Sequence, residues 1–141
     1  MKKAFKLLLT LLPFLYMIVI WIMSGNPDDM ILDLPSSSFD RFIKEALHLV
    51  EFALLFILFV SALAANQKLK PGLSLLAALV ACFYGVLDEF HQSFIPYRSA
   101  TLIDVIKDII GVAAVYFHVQ YHYFKHGRGF LTNIEKLTAK K

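Results

Sequence analysis

LSLLAALVACFYGVLDEFHQ, running from Leu73 to Gln92, is the stretch on which the reading of this chain turns. It is apolar or small through Leu87, and then Asp88, Glu89, His91 and Gln92 arrive together before Pro96 ends the run. An uncharged stretch of that length is the signature of a helix solvated by lipid. Three other stretches have the same character: Leu7 to Met23, Phe42 to Ala65 and Leu102 to Tyr121. Candidate spans therefore cover residues 7–23, 42–65, 73–94 and 102–121. None alternates with the period of two that a membrane β-barrel requires. The expected fold is all-α: a four-helix transmembrane bundle of up-down topology filling residues 1–124, followed by a basic tail at 125–141.

Composition points the same way. The hydrophobic share is 58 %, against about 45–50 % in soluble domains, and the mean hydropathy is +0.63. The first run follows Lys2, Lys3 and Lys6, as a signal peptide would. It exceeds a usual signal core, however, and Ile22-Met23-Ser24-Gly25 is not an Ala-x-Ala site. An uncleaved helix, kinked at Pro13, is expected instead. Cys82 is the sole cysteine, which excludes an internal disulfide and a cysteine metal cluster.

The net charge of +3 could suggest nucleic acid, but the cations flank the hydrophobic runs. No basic helix or nucleic-acid motif stands outside those runs, so nucleic acid is not an expected partner; the lipid bilayer is. Ten of the fourteen basic residues precede the first span, separate the second from the third, or follow the fourth. The segment between spans one and two carries Asp28, Asp29, Asp33 and Asp40 instead. By the positive-inside rule both termini are cytoplasmic.

The polar residues inside these runs fall at one level. With a rise of about 1.5 Å per residue and a hydrocarbon core of about 30 Å, Glu51 lies about 21 Å and Asp88 about 22 Å above the cytoplasmic edge. The same rise puts Asp108 about 9 Å below the outer edge, so all three share a layer. Their neighbours share helix faces with them: Arg41, Lys44 and His48 with Glu51, His91 or Gln92 with Asp88, and Asp104 with Asp108. Gly111 lies on that last face, where it permits close helix approach. Ionised groups are costly in the bilayer, so this set should turn inward and find partners. Glu51, Asp88, Glu89, Asp104 and Asp108 outnumber the nearby cations Lys107, Arg98 and Lys44, with His48 and His91 as titratable additions.

Three motifs carry a family resemblance. His48-Leu49-Val50-Glu51-Phe52 resembles the His-x-x-Glu-Tyr stretch of VanZ-like membrane proteins, with Phe52 in place of Tyr. The run from Leu87 to Arg98 is similar to that family's Asp-Glu-x-x-Gln-x-Phe-x-Pro-Gly-Arg signature, with Tyr97 where Gly is common. Asp104-Val105-Ile106-Lys107-Asp108 through Gly111 resembles its Asp-Val-x-x-Asp/Asn-x-x-Gly. Trp21 and Ser24, before an acidic and Ser-rich segment, fit its first span and outer loop. The resemblance implies a bacterial cell-envelope protein of the group named for teicoplanin resistance.

The candidate site is thus an extracytoplasmic polar pocket built from His48, Glu51, Asp88, Glu89, His91, Gln92, Arg98, Asp104 and Asp108. Arg98 could clamp a phosphate or carboxylate with its planar fork, and the carboxylates could meet an amine. A lipid-linked cell-wall component or a glycopeptide fits both. The alternative is an intramembrane metal-dependent hydrolase or transferase acting on a lipid headgroup. His48, Glu51, Asp88 and His91 are suitable ligand types for it, but no His-Glu-x-x-His spacing occurs and no metal or other cofactor is assigned. A carboxylate and histidine relay for ions is a third reading, and it lacks polar residues in the cytoplasmic half of the spans.

Overall fold

A computed structural model describes residues 2–26, 37–96 and 101–139, with the side chains of 37–45 and 48 outside the description. The described residues form helices and turns, with no strand among them. In chain order the helices are α1 (Lys2–Ser24), α2 (Ser37–Ala65), α3 (Pro71–Gln92), α4 (Leu102–Val119) and α5 (Phe130–Thr138). A π-helical turn, Gln120–Lys125, extends α4.

α2 is the hub and touches α1, α3, α4 and α5. Its Phe52, Leu55, Phe56, Val60 and Ala64 are fully buried and form the core with Ile20, Ala77, Ala81, Val112 and Leu131. Interhelical hydrogen bonds show which ends meet. At one end Asn66 Nδ2 donates to Thr10 Oγ1 at 2.8 Å, and Lys2 Nζ donates to the Ala139 carbonyl at 3.3 Å. Midway, the Tyr84 hydroxyl donates to the Met17 carbonyl at 2.7 Å. At the far end Ser24 Oγ lies 3.1 Å from His91 Nδ1, and the Thr101 amide donates to Glu89 Oε2 at 3.2 Å.

The helices pack inside out compared with a soluble bundle. α3 turns Ser74, Ala77, Ala78, Ala81, Gly85, Asp88, Glu89 and Gln92 inward. Its Leu75, Leu76, Leu79, Phe83 and Phe90 face outward. α1 exposes Leu7, Leu11, Phe14, Ile18 and Ile22, and α4 exposes Ile103, Ile106, Ile110 and Phe117. Small residues at contacts and large apolar ones outside are what helices need when lipid surrounds them. By length and composition α1 and α3 could each cross a membrane, and α2 contains the shorter apolar stretch Leu49–Ala65.

Capping sets the element ends. Gln67 takes φ 57°, and Lys68 N–H reaches the Leu63 carbonyl at 2.9 Å while Gln67 N–H reaches Ala64 at 3.0 Å. This left-handed cap closes α2, and Pro71 opens α3 where no amide partner is needed. Thr101 caps α4 reciprocally: its hydroxyl accepts from Asp104 N–H at 3.3 Å and donates to Asp104 Oδ2 at 2.6 Å.

Several bounds differ from the sequence reading, and α1 and α2 begin at Lys2 and Ser37, ahead of the expected spans. α3 ends at Gln92, so Ser93 and Phe94 lie in the following turn. The segment 125–141, expected as a basic tail, includes a helix packed on the bundle. Leu131 and Thr138 of α5 are buried, and Gln67 Nε2 donates to the Glu135 carbonyl at 2.9 Å and to Thr138 Oγ1 at 3.2 Å.

Candidate functional site

The polar layer begins with a glycine. A methyl group on Gly85 would sit 3.2 Å from Asp108 Oδ2 and 3.5 Å from Phe52 Cδ2. The missing side chain in α3 is therefore the space into which the α4 carboxylate fits, beneath a fully buried α2 ring. Gly111, one turn further along α4, lies against the α2 backbone; a methyl there would run into the Leu49 carbonyl. These two absences let three helices approach closely enough for their carboxylates to share one region.

Asp88 and Asp108 are each 1 % exposed, Gln92 3 % and Glu89 5 %. Gln92 Nε2 donates to Asp88 Oδ2 at 2.6 Å, one helical turn away. Glu89 receives the Thr101 amide and so ties the end of α3 to the start of α4. Lys107 Nζ lies 3.0 Å from Asp104 Oδ1. Glu89, Glu51, Asp88 and Asp104 all stand within Coulombic reach of Asp108. Glu51, half-buried on α2, also acts on the Tyr16 and Tyr84 hydroxyls. Taking a carboxylate out of water costs several kcal/mol unless partners compensate. Glu51, Asp88, Glu89, Asp104, Lys107 and Asp108 each enter at least one polar or electrostatic interaction.

His91 does something the sequence did not suggest. Its ring stacks on Trp21 at a centroid distance of 3.9 Å and an interplanar angle of 15°, with Ser24 on Nδ1. It thus binds α3 to the end of α1. Tyr84, on the Asp88 face, likewise spends its hydroxyl on α1. Gly85 and Tyr16 were not singled out from sequence, and Phe52 only as the residue in place of Tyr in the first motif, though a Gly inside an apolar helix is itself a sign of close packing. Arg98 and the His48 side chain fall outside the described residues, as do Arg41 and Lys44. Among the described residues no three His, Cys, Asp or Glu groups are arranged to hold a metal ion.

A protein-family model described as VanZ/LLP1 matches residues 2–123, which takes in all three motifs and every carboxylate of the layer. The chain belongs to the VanZ/LLP1 family. No curated protein and no solved structure matches it. In this VanZ/LLP1 chain the second motif starts on the last turns of α3 and runs into the turn after Gln92, the third lies on the first turns of α4, and the first lies on α2. The matched segment ends within the π-helical turn, ahead of α5.

Proposed function

We propose that this chain is a multi-pass membrane protein of the bacterial cell envelope. In this reading four helices span the bilayer up and down, both termini are cytoplasmic, and an extracytoplasmic pocket binds a lipid-linked wall component or glycopeptide-like ligand and alters antibiotic susceptibility. The inside-out packing and the clustering of cations at one end support the spanning arrangement. The observation that supports the pocket is the burial of Asp88, Glu89 and Asp108, with Glu51 and Asp104 also within Coulombic reach of Asp108 beside Gly85. Five carboxylates at one level favour a ligand that presents an amine, and Arg98 supplies a fork for its phosphate or carboxylate.

The test is binding of a labelled lipid-linked precursor, and of a teicoplanin-type glycopeptide, to the purified chain. Asp88→Asn with Arg98→Ala should weaken binding about tenfold or more, the scale of a lost charge-assisted hydrogen bond. Susceptibility should shift at unchanged membrane abundance. Undiminished binding by the double variant sinks the proposal.

A second reading takes the layer as a network that fixes helix register, and the bonds Gln92 to Asp88, Thr101 to Glu89 and Lys107 to Asp104 favour it. Under that reading the same variants lose abundance, and no ligand binds. The metal-dependent alternative draws no support from the described residues.

A further inference from the structure

At the opposite end of the bundle, a cleft opens between the end of α4 and the start of α5. It is shallow, with about 20 Å³ of room for water, and His118, Val119, His122, Tyr123, Arg128, Gly129, Phe130 and Leu131 line it. We propose that this cleft binds a phosphate group, through the Arg128 guanidinium, the His118 and His122 imidazoles and the first amides of α5.

Local geometry assembles these donors. His118 and His122 are one helical turn apart with ring centroids 4.3 Å from each other, so both rings present to the same side. The π-helical turn then widens the helix, and Arg128 N–H returns to the His122 carbonyl at 2.9 Å. Gly127 and Gly129 take φ of 60° and 112° on either side of Arg128, a path that other residues rarely follow. The reversal puts Arg128 beside the histidines and starts α5 at their level. Gly129 is the α5 N-cap and has no side chain to satisfy the first amides, and Gly129, Phe130 and Leu131 at that helix N-terminus line the cleft. The nearby acid, Glu135, accepts the Tyr123 hydroxyl at 2.8 Å. Among the described residues no carboxylate pairs with Arg128.

Planar guanidinium, imidazole N–H groups and a helix N-terminus together are donors for a tetrahedral oxyanion. Phe130 in the lining is exposed, as are Phe117 and Tyr121 on the same helical segment as the histidines, which suits the interfacial belt of a bilayer and favours a lipid headgroup over free phosphate as the source.

The experiment titrates the full chain in non-ionic detergent with short-chain phosphatidylglycerol, short-chain phosphatidylcholine and inorganic phosphate. Phosphatidylglycerol should bind. Arg128→Lys, which keeps the charge but loses the fork, and His122→Gln should each weaken it several-fold, and Arg128→Gln about tenfold or more. Lys125→Gln removes an equal charge at the same end, outside the cleft, and should leave affinity within about twofold. Saturable binding of inorganic phosphate with the same dependence on Arg128 supports the site with free phosphate as the source. Equal weakening by Lys125→Gln and Arg128→Gln, or no saturable binding of either anion, overturns it. Unchanged circular dichroism and elution volume identify variants that have kept the fold.

Discussion

Two glycines separate backbone from side-chain crowding at the level of single residues. At Gly111 an added methyl meets a main-chain carbonyl of α2, which cannot rotate away. Gly111→Ala should therefore destabilise by about 1–3 kcal/mol or more, read as a lowered melting temperature in detergent. At Gly85 the obstacle is the Asp108 carboxylate, a side chain able to shift. Gly85→Ala should cost less stability than Gly111→Ala and, on the proposed function, should weaken ligand binding because it displaces that carboxylate. The reverse order of melting temperatures would contradict both accounts. Much of this layer was legible beforehand: residue counting along three helices, at a fixed rise per residue, predicts a common depth for Glu51, Asp88 and Asp108. What counting does not supply is the tertiary partner. The Trp21 stack on His91 and the Tyr84 bond to Met17 join residues about seventy positions apart, and no local spacing encodes them.

Single elements are held by their ends. Thr101→Val removes both bonds of the α4 cap, and loss of a cap of this kind costs about 1 kcal/mol. Faster amide exchange across Ile103–Val105, with α3 unaffected, is the expected signature. Gln67 serves two purposes, as the left-handed residue closing α2 and as a side-chain donor to α5. Gln67→Gly relieves the backbone strain yet unties α5, so proteolysis after Arg128 should accelerate even where global stability holds. α5 itself was readable only in part. Leu131, Ile134 and Thr138 sit three and four apart on one face, but the surrounding lysines dominate the composition and suggest a solvated tail. The docked helix also carries a titration. Burial, then the hydrogen bond to Glu135, raises the Tyr123 phenol to about 12 from 10.0. A phenol that ionises later in the folded chain than in the unfolded one contributes stability in full below pH 10.0, and that contribution is lost as pH climbs from there toward about 12. Proteolysis of α5 should thus rise over that interval, and Tyr123→Phe should abolish the rise.

For the whole molecule, charge segregation yields the sharpest test. With Cys82 replaced by serine, Ser93→Cys should react with an impermeant maleimide in intact cells, and Lys68→Cys only after permeabilisation. The opposite pattern would invert the bundle and carry the carboxylate layer to the cytoplasmic side. The outward Leu, Ile and Phe faces have one more consequence. In lipid, an outward leucine has the same apolar surroundings whether its helix is docked or free, so trimming it to alanine changes little. An inward alanine of α3 sits where helices nearly touch, and enlarging it to leucine wedges them apart. A saturation mutagenesis map of α1, α3 and α4 should consequently look like the photographic negative of one from a water-soluble bundle, forgiving at the outward greasy positions and intolerant at the small inward ones, while the buried Phe52, Leu55 and Phe56 of α2 stay sensitive.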